Sequence, residues 1–156
     1  MCKILVIGLG NVLMSDDGLG VVAIHQLQEK SKAYSNIFFL DVGTSIFNHI
    51  ADLGKSETLI VIDAIKAGYP PGTIYRIDDF DTVADIRRFY NSHGFTIIEA
   101  IALSRELTGL PQKATIFGIE PYSCDLGYSV SREIRGSLIK LINMVEREIE
   151  SLITPR

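Results

Sequence analysis

Three side chains of this 156-residue sequence combine a reactive type with a telling position: Asp17, Asp63 and His93. Asp63 closes the aliphatic run Leu59-Ile60-Val61-Ile62, where a strand of an open α/β sheet would deliver it to the ligand-binding edge. A carboxylate placed there without a partner is costly, so capping or pairing with Lys66 stands beside metal ligation as the reading of Asp63 alone. Asp17 follows Asp16 and precedes Gly18 at a helix start, where acids balance the helix dipole and cap free amides. Two adjacent acids leave room for one to cap while the other points into the cleft, and Gly18 with Gly20 lets another backbone come close. His93, in Asn91-Ser92-His93-Gly94, is a loop histidine next to a helix start. His25 and His49 fall in helical stretches and read as surface or partly packed. Two carboxylates and an imidazole from three loops suit nickel, zinc, iron or manganese, and three protein ligands leave positions open for water or another molecule.

The positioning elements follow from hydrophobic pattern. Lys3–Gly8, Ile37–Asp41, Thr58–Asp63 and Ala114–Ile119 are β-forming runs without polar alternation, the pattern of strands covered on both faces. Thr73–Ile77, after the turn Tyr69-Pro70-Pro71-Gly72, alternates enough to be a more exposed edge strand. Between the strands, Leu19, Val22, Ala23 and Leu27 share a helical face, as do Ile97, Ala100, Leu103 and Leu107, with Thr96 and Glu99 spaced as a capping box. Ile134, Leu138, Leu141, Ile142, Val145, Ile149 and Leu152 form the clearest stripe, opposite Glu133, Lys140, Glu146, Arg147 and Glu150. The expected fold is a three-layer α/β domain over residues 1–156, a mostly parallel twisted sheet flanked by helices on both faces.

Composition excludes several functions. A net charge of -4 draws in no phosphate backbone, so nucleic acid is not expected as a partner. Ile4–Ile7 is too short an apolar start for a signal peptide or membrane span, so neither export nor a membrane anchor is expected. Cys2 and Cys124 make neither a disulfide framework nor a structural zinc site and suit a reducing cytoplasm. No G-x-S-x-G elbow is present, Cys124 has no obvious base beside it, and Asp41-Val42-Gly43-Thr44 has the wrong order for an aspartic-protease loop. A nucleotide-binding alternative rests on Gly8-Leu9-Gly10-Asn11-Val12-Leu13 and on Asp41 as a ribose-binding acid. Leu13 stands where a third glycine is expected, and the helix starts only near Asp16, too late to meet a pyrophosphate.

The ordered blocks Gly8–Leu13, Asp16–Gly20, Asp41–Thr44, Ile62–Ala64, Ser92-His93 and Gly118–Pro121 together resemble the hydrogenase maturation proteases over almost the whole chain. The resemblance implies an endopeptidase that removes a C-terminal extension from the large-subunit precursor of a nickel-iron hydrogenase after nickel insertion. It places the metal contacts on Asp17, Asp63 and His93 and substrate contacts on Gly10, Asn11, Asp41, Gly43 and Thr44. Nickel is expected to come with the substrate, with another divalent transition metal able to substitute. Asp17 stands where the family often has glutamate, a shorter reach to the metal, and Val42 stiffens a place often held by glycine. A module that checks the metal of the same precursor without cutting it is the competing reading.

Overall fold

The computed structural model describes residues 2–31, 34–78 and 95–154. Five strands, β1 (Cys2–Leu9), β2 (Ile37–Gly43), β3 (Ser56–Ala64), β4 (Ile74–Asp78) and β5 (Lys113–Ile119), form one sheet in the order β2-β1-β3-β5-β4. All neighbours run parallel except the β4–β5 pair. Helices α1 (Leu19–Lys30), α2 (Ile50–Leu53), α3 (Phe95–Thr108) and α4 (Arg135–Ile153) cover it.

Successive side chains of a strand point to opposite faces, and this divides the core in two. Ile4, Val6, Ile60, Ile62, Phe117 and Ile119 pack under α1 and α4. Leu5, Ile7, Leu59, Val61, Ala114 and Ile116 pack on the other side with Leu53 of α2 and Ile97 and Ile101 of α3. The expected three-layer α/β architecture is therefore the observed one. The unbroken aliphatic runs of β1, β3 and β5 reflect burial on both faces.

Three sequence expectations are corrected. The run Ile37–Asp41 is an edge strand rather than a buried one, and Phe38 is 55% exposed, because only β1 flanks β2. In α3 the buried face is Ile97, Ile98, Ala100, Ile101 and Ser104, while Leu103 is exposed and Leu107 is 66% exposed. The helix also takes in Phe95, so Thr96 stands inside its first described turn and not at its cap. The stripe on α4 is as expected, with Leu138, Leu141, Ile142, Val145 and Ile149 buried.

β1 pairs with β2 on one side and β3 on the other, so their connections leave in opposite directions and open a crevice at the carboxyl ends of β1 and β3. Register aligns those ends: Gly8 lies opposite Ile62, and Asp63 opposite Gly118. Loops after β1, β3 and β5 thus meet at one edge. Gly20 sets α1 close over this crevice, since a Cβ there would run into the carbonyl oxygens of Leu9 and Ile62.

Candidate functional site

Asp16 and Asp17 divide their work. Asp16 is fully buried, and its carboxylate accepts hydrogen bonds from the Tyr122 and Ser123 amides (2.9 and 3.0 Å), the Ser131 amide (2.6 Å) and the Ser131 hydroxyl (2.7 Å). Ser131 precedes the 3-10 turn Arg132–Ile134 that leads into α4, so Asp16 anchors the entry to an element more than a hundred residues away and does not cap its own helix. Asp17 turns the other way. Its Oδ2 accepts the Asn11 amide at 2.9 Å, which draws it over the loop after β1. Gly10, at φ +124°, is required there, because a side chain would strike the Asp17 carbonyl.

Asp63, half-buried at the end of β3, accepts the Ala64 amide at 2.8 Å through Oδ1. Burial pushes its carboxyl up to about 8, the Asp17 charge pushes in the same direction, and the Ala64 hydrogen bond only partly opposes them. Asp17 and Asp63 are therefore electrostatic neighbours in the β1–β3 crevice. Lys66 forms no ion pair with Asp63 among the described residues. It lies instead beside Cys124, a free cysteine whose thiol is pushed up by burial, with Lys66 opposing and Asp17 and Asp16 reinforcing. A thiol held protonated in this way is a poor nucleophile.

The other expected positions fall around the same edge. The Gly10 amide donates to the Gly43 carbonyl (2.9 Å), joining the loop after β1 to the end of β2. Asn11 folds its own loop by accepting the Leu13 amide through Oδ1 at 3.0 Å. Thr44 is exposed beside Gly43, which sits at φ +60°. Asp41 is exposed and bound to His25 of α1 at 3.0 Å, so its carboxylate is turned toward that helix. His49 contacts Asp52 at 3.1 Å, a local pair away from the crevice. His93 lies outside the described residues. Among the described residues no three histidine, cysteine, aspartate or glutamate side chains are grouped to hold a metal.

The nucleotide reading loses its geometry here. The α-helix begins at Leu19, after a 3-10 turn (Ser15–Gly18) carrying two carboxylates, and negative charge at that point repels a pyrophosphate. Reading the residues one by one had passed over Glu120 as a chemical group. It is buried and accepts the Ala67 amide (2.8 Å), the Gly68 amide (3.1 Å) and the Tyr75 hydroxyl (2.6 Å). These bonds hold the segment that follows Asp63. The signal for it was an acid directly after a buried strand, the same signal that marked Asp63.

Comparison with known proteins places these loops in context. The pattern of the HycI hydrogenase maturation protease family matches residues 21–148. The hydrogenase expression/formation protein HupD of Thiocapsa roseopersicina is 32% identical over 148 residues, 91% of this chain and 65% of that protein. The chain thus spans slightly under two thirds of that relative's length. HupD of Rhodobacter capsulatus is 30% identical over 151 residues, 96% of this chain and 72% of that protein. The hydrogenase maturating endopeptidase HybD from E. coli shares the fold with a TM-score of 0.86 at 23% identity, covering 96% of this chain and 93% of that one. The [NiFe] hydrogenase maturation protease HybD from Thermococcus kodakarensis gives a TM-score of 0.79 at 27% identity, covering 94% and 98%.

Proposed function

This chain belongs to the hydrogenase maturation proteases, and from that we propose that it is the endopeptidase that trims the C-terminal extension of a nickel-iron hydrogenase large-subunit precursor once nickel is in place. The observation that carries the reading is the placement of Asp17, in the turn after β1, beside Asp63, at the end of β3, two carboxyl groups whose hydrogen-bond donors among the described residues are backbone amides. Such a pair repels itself and gains most from a divalent cation between its members. Nickel carried in the precursor would supply that charge, and another divalent transition metal can stand in for it. His93, by its place in the sequence motif, completes the set as a nitrogen donor.

Metal-dependent docking gives the selection. A precursor without nickel lacks the ligand bonds that offset the cost of association, so it binds weakly and keeps its extension. With the metal held by Asp17 and Asp63, the peptide to be cut lies against Gly10, Asn11, Gly43 and Thr44, and Asp41 borders its path. Water is the attacking group in this reading, with a carboxylate able to take its proton, because the Cys124 thiol is held neutral. Cys124, a free thiol, suits action in the reducing cytoplasm. The chain has net charge -4, and no helix of the described residues is long and apolar enough to cross a membrane.

Incubating the protein with nickel-loaded and nickel-free precursor, and weighing the products by mass spectrometry, tests this. Loss of the extension from the nickel-loaded form alone is expected. Equal cutting of both forms would remove the metal from the account, and tight binding without cutting would favour a metal-checking module.

A further inference from the structure

The loop after β1 and the loop after β5 are locked together beside Asp17. Gly127 donates its amide to the Leu13 carbonyl (2.9 Å), the Ser15 amide donates to the Gly127 carbonyl (2.9 Å), and Met14 and Gly127 form an isolated parallel bridge. The Ser15 hydroxyl adds a bond to the Asp125 carbonyl (2.8 Å). Asp16 fixes the same two loops from below through Tyr122, Ser123 and Ser131. Yet this well-pinned structure presents large apolar side chains outward: Leu126 is 80% exposed, Tyr128 84%, Leu13 48% and Val12 43%. Their burial contributes little to the fold. Val12 directly follows Asn11, whose amide donates to the Asp17 carboxylate, so the apolar residues begin one position from that contact.

Exposed apolar side chains carried on pinned backbone beside a site mark a surface that another molecule covers. The same loop after β1 carries Gly10 and Asn11, two of the proposed substrate contacts, so the surface is continuous with them. We infer that Val12, Leu13, Leu126 and Tyr128 form a docking platform on which the hydrogenase large-subunit precursor seats apolar side chains next to its nickel-bearing segment. This rests on the reading under Proposed function and adds to it a contact that does not depend on the metal. The carboxylates then report whether nickel is present, while the platform supplies recognition of the polypeptide that carries it.

The test is the Leu126→Ser/Tyr128→Ser double variant, with Leu126→Met/Tyr128→Phe as its conservative counterpart and thermal unfolding as the check on folding. With nickel-loaded precursor, the serine variant should raise KM roughly tenfold or more and leave kcat nearly unchanged, the size of effect expected when apolar anchors are removed. With nickel-free precursor, which stays uncut, Kd should weaken by a similar factor. The conservative variant should behave as the parent in both. A serine variant with parental KM and parental Kd would overturn the platform. So would sedimentation showing the parent as a dimer that the serine variant dissociates, since the surface would then belong to a second copy of the chain. If the parent binds the precursor but cuts neither form, the protease reading falls alone, because the Kd comparison still decides the platform.

Discussion

Asp17 raises the proton affinity of Asp63: two carboxyl groups forty-six positions apart in the chain share one crevice, and the charge of the first disfavours the charge of the second. Burial contributes still more to the same shift, while among the described residues the Ala64 amide opposes it.

Metal binding to the protein should therefore be linked to a proton. With the Asp63 carboxyl pushed up to about 8, it is largely protonated at pH 7, and a divalent metal must displace that proton. Affinity for nickel, measured by calorimetry, should rise with pH up to about 8 and level off beyond, with about one proton released per ion at pH 7. In Asp63→Asn the pH dependence between about 7 and 8 should largely disappear, together with most of the proton release at pH 7. Affinity independent of pH in the parent would contradict the coupling.

The same shift has a signed effect on stability. Below the ordinary carboxyl range Asp63 is protonated in both folded and unfolded chains and has no effect. Between about 4 and 8 the unfolded chain gives up its proton while the folded one keeps it, so this group lowers stability progressively as pH rises. Asp63→Asn, an uncharged shape mimic, should make the metal-free protein more stable than the parent at pH 7.5 and nearly equal to it at pH 3.5, as measured by urea unfolding. A loss of stability at pH 7.5 would show that the Asp63 charge is satisfied by groups other than Ala64.

Processing should fail when either carboxylate is neutralised. Asp17→Asn and Asp63→Asn should each slow trimming of a nickel-loaded precursor by about a hundredfold or more, the scale of losing one member of a charge pair in a desolvated contact. Single-turnover assays followed by mass spectrometry measure it directly. Full rates in either variant would sink the proposed metal contact.

Asp16, next in sequence, should behave as a structural residue. Removing it leaves the Tyr122, Ser123 and Ser131 amides without their acceptor, so Asp16→Ala should cost about 3–5 kcal/mol of unfolding free energy. Chemical denaturation reads the loss, and added nickel should not restore it.

Glu120 should link stability to activity. Glu120→Ala removes the acceptor of the Ala67 and Gly68 amides and of the Tyr75 hydroxyl bond, and should destabilise the protein by about 2–4 kcal/mol while lowering trimming through a looser segment after Asp63. Tyr75→Phe removes one of the three bonds and should cost only about 1 kcal/mol. Burial and the bond to Glu120 push the Tyr75 hydroxyl above its ordinary range, so the phenol should resist ionisation in alkaline titration until the protein unfolds. Early ionisation would mean that the Glu120 bond is weak.

Much of this protein was legible without coordinates, because its central strands carry their environment in their own residues. Lys3–Gly8, Thr58–Asp63 and Ala114–Ile119 are covered on both faces, so each reads as an unbroken apolar run, and a polar residue at its end is conspicuous. Asp63 stood out for that reason, and the stripe on α4 was equally plain because one face meets the sheet and the other meets water. Local pattern could not decide what depends on neighbours distant in sequence. Ile37–Asp41 looks like the central strands, yet strand order leaves it at the edge with Phe38 exposed. Leu103 and Leu107 have helical spacing, yet the helix turns Ile98, Ile101 and Ser104 inward instead. Asp16 and Asp17 are the same residue twice, and only the loop after β5, folded back over the first turn, makes one a buried anchor and leaves the other facing Asp63. The sequence by itself determined the layers and the residues fit for chemistry, since hydrophobic burial and side-chain type are local properties. Tertiary structure decided which of those residues meet, because hydrogen bonds and electrostatic coupling follow distance in space and not distance along the chain.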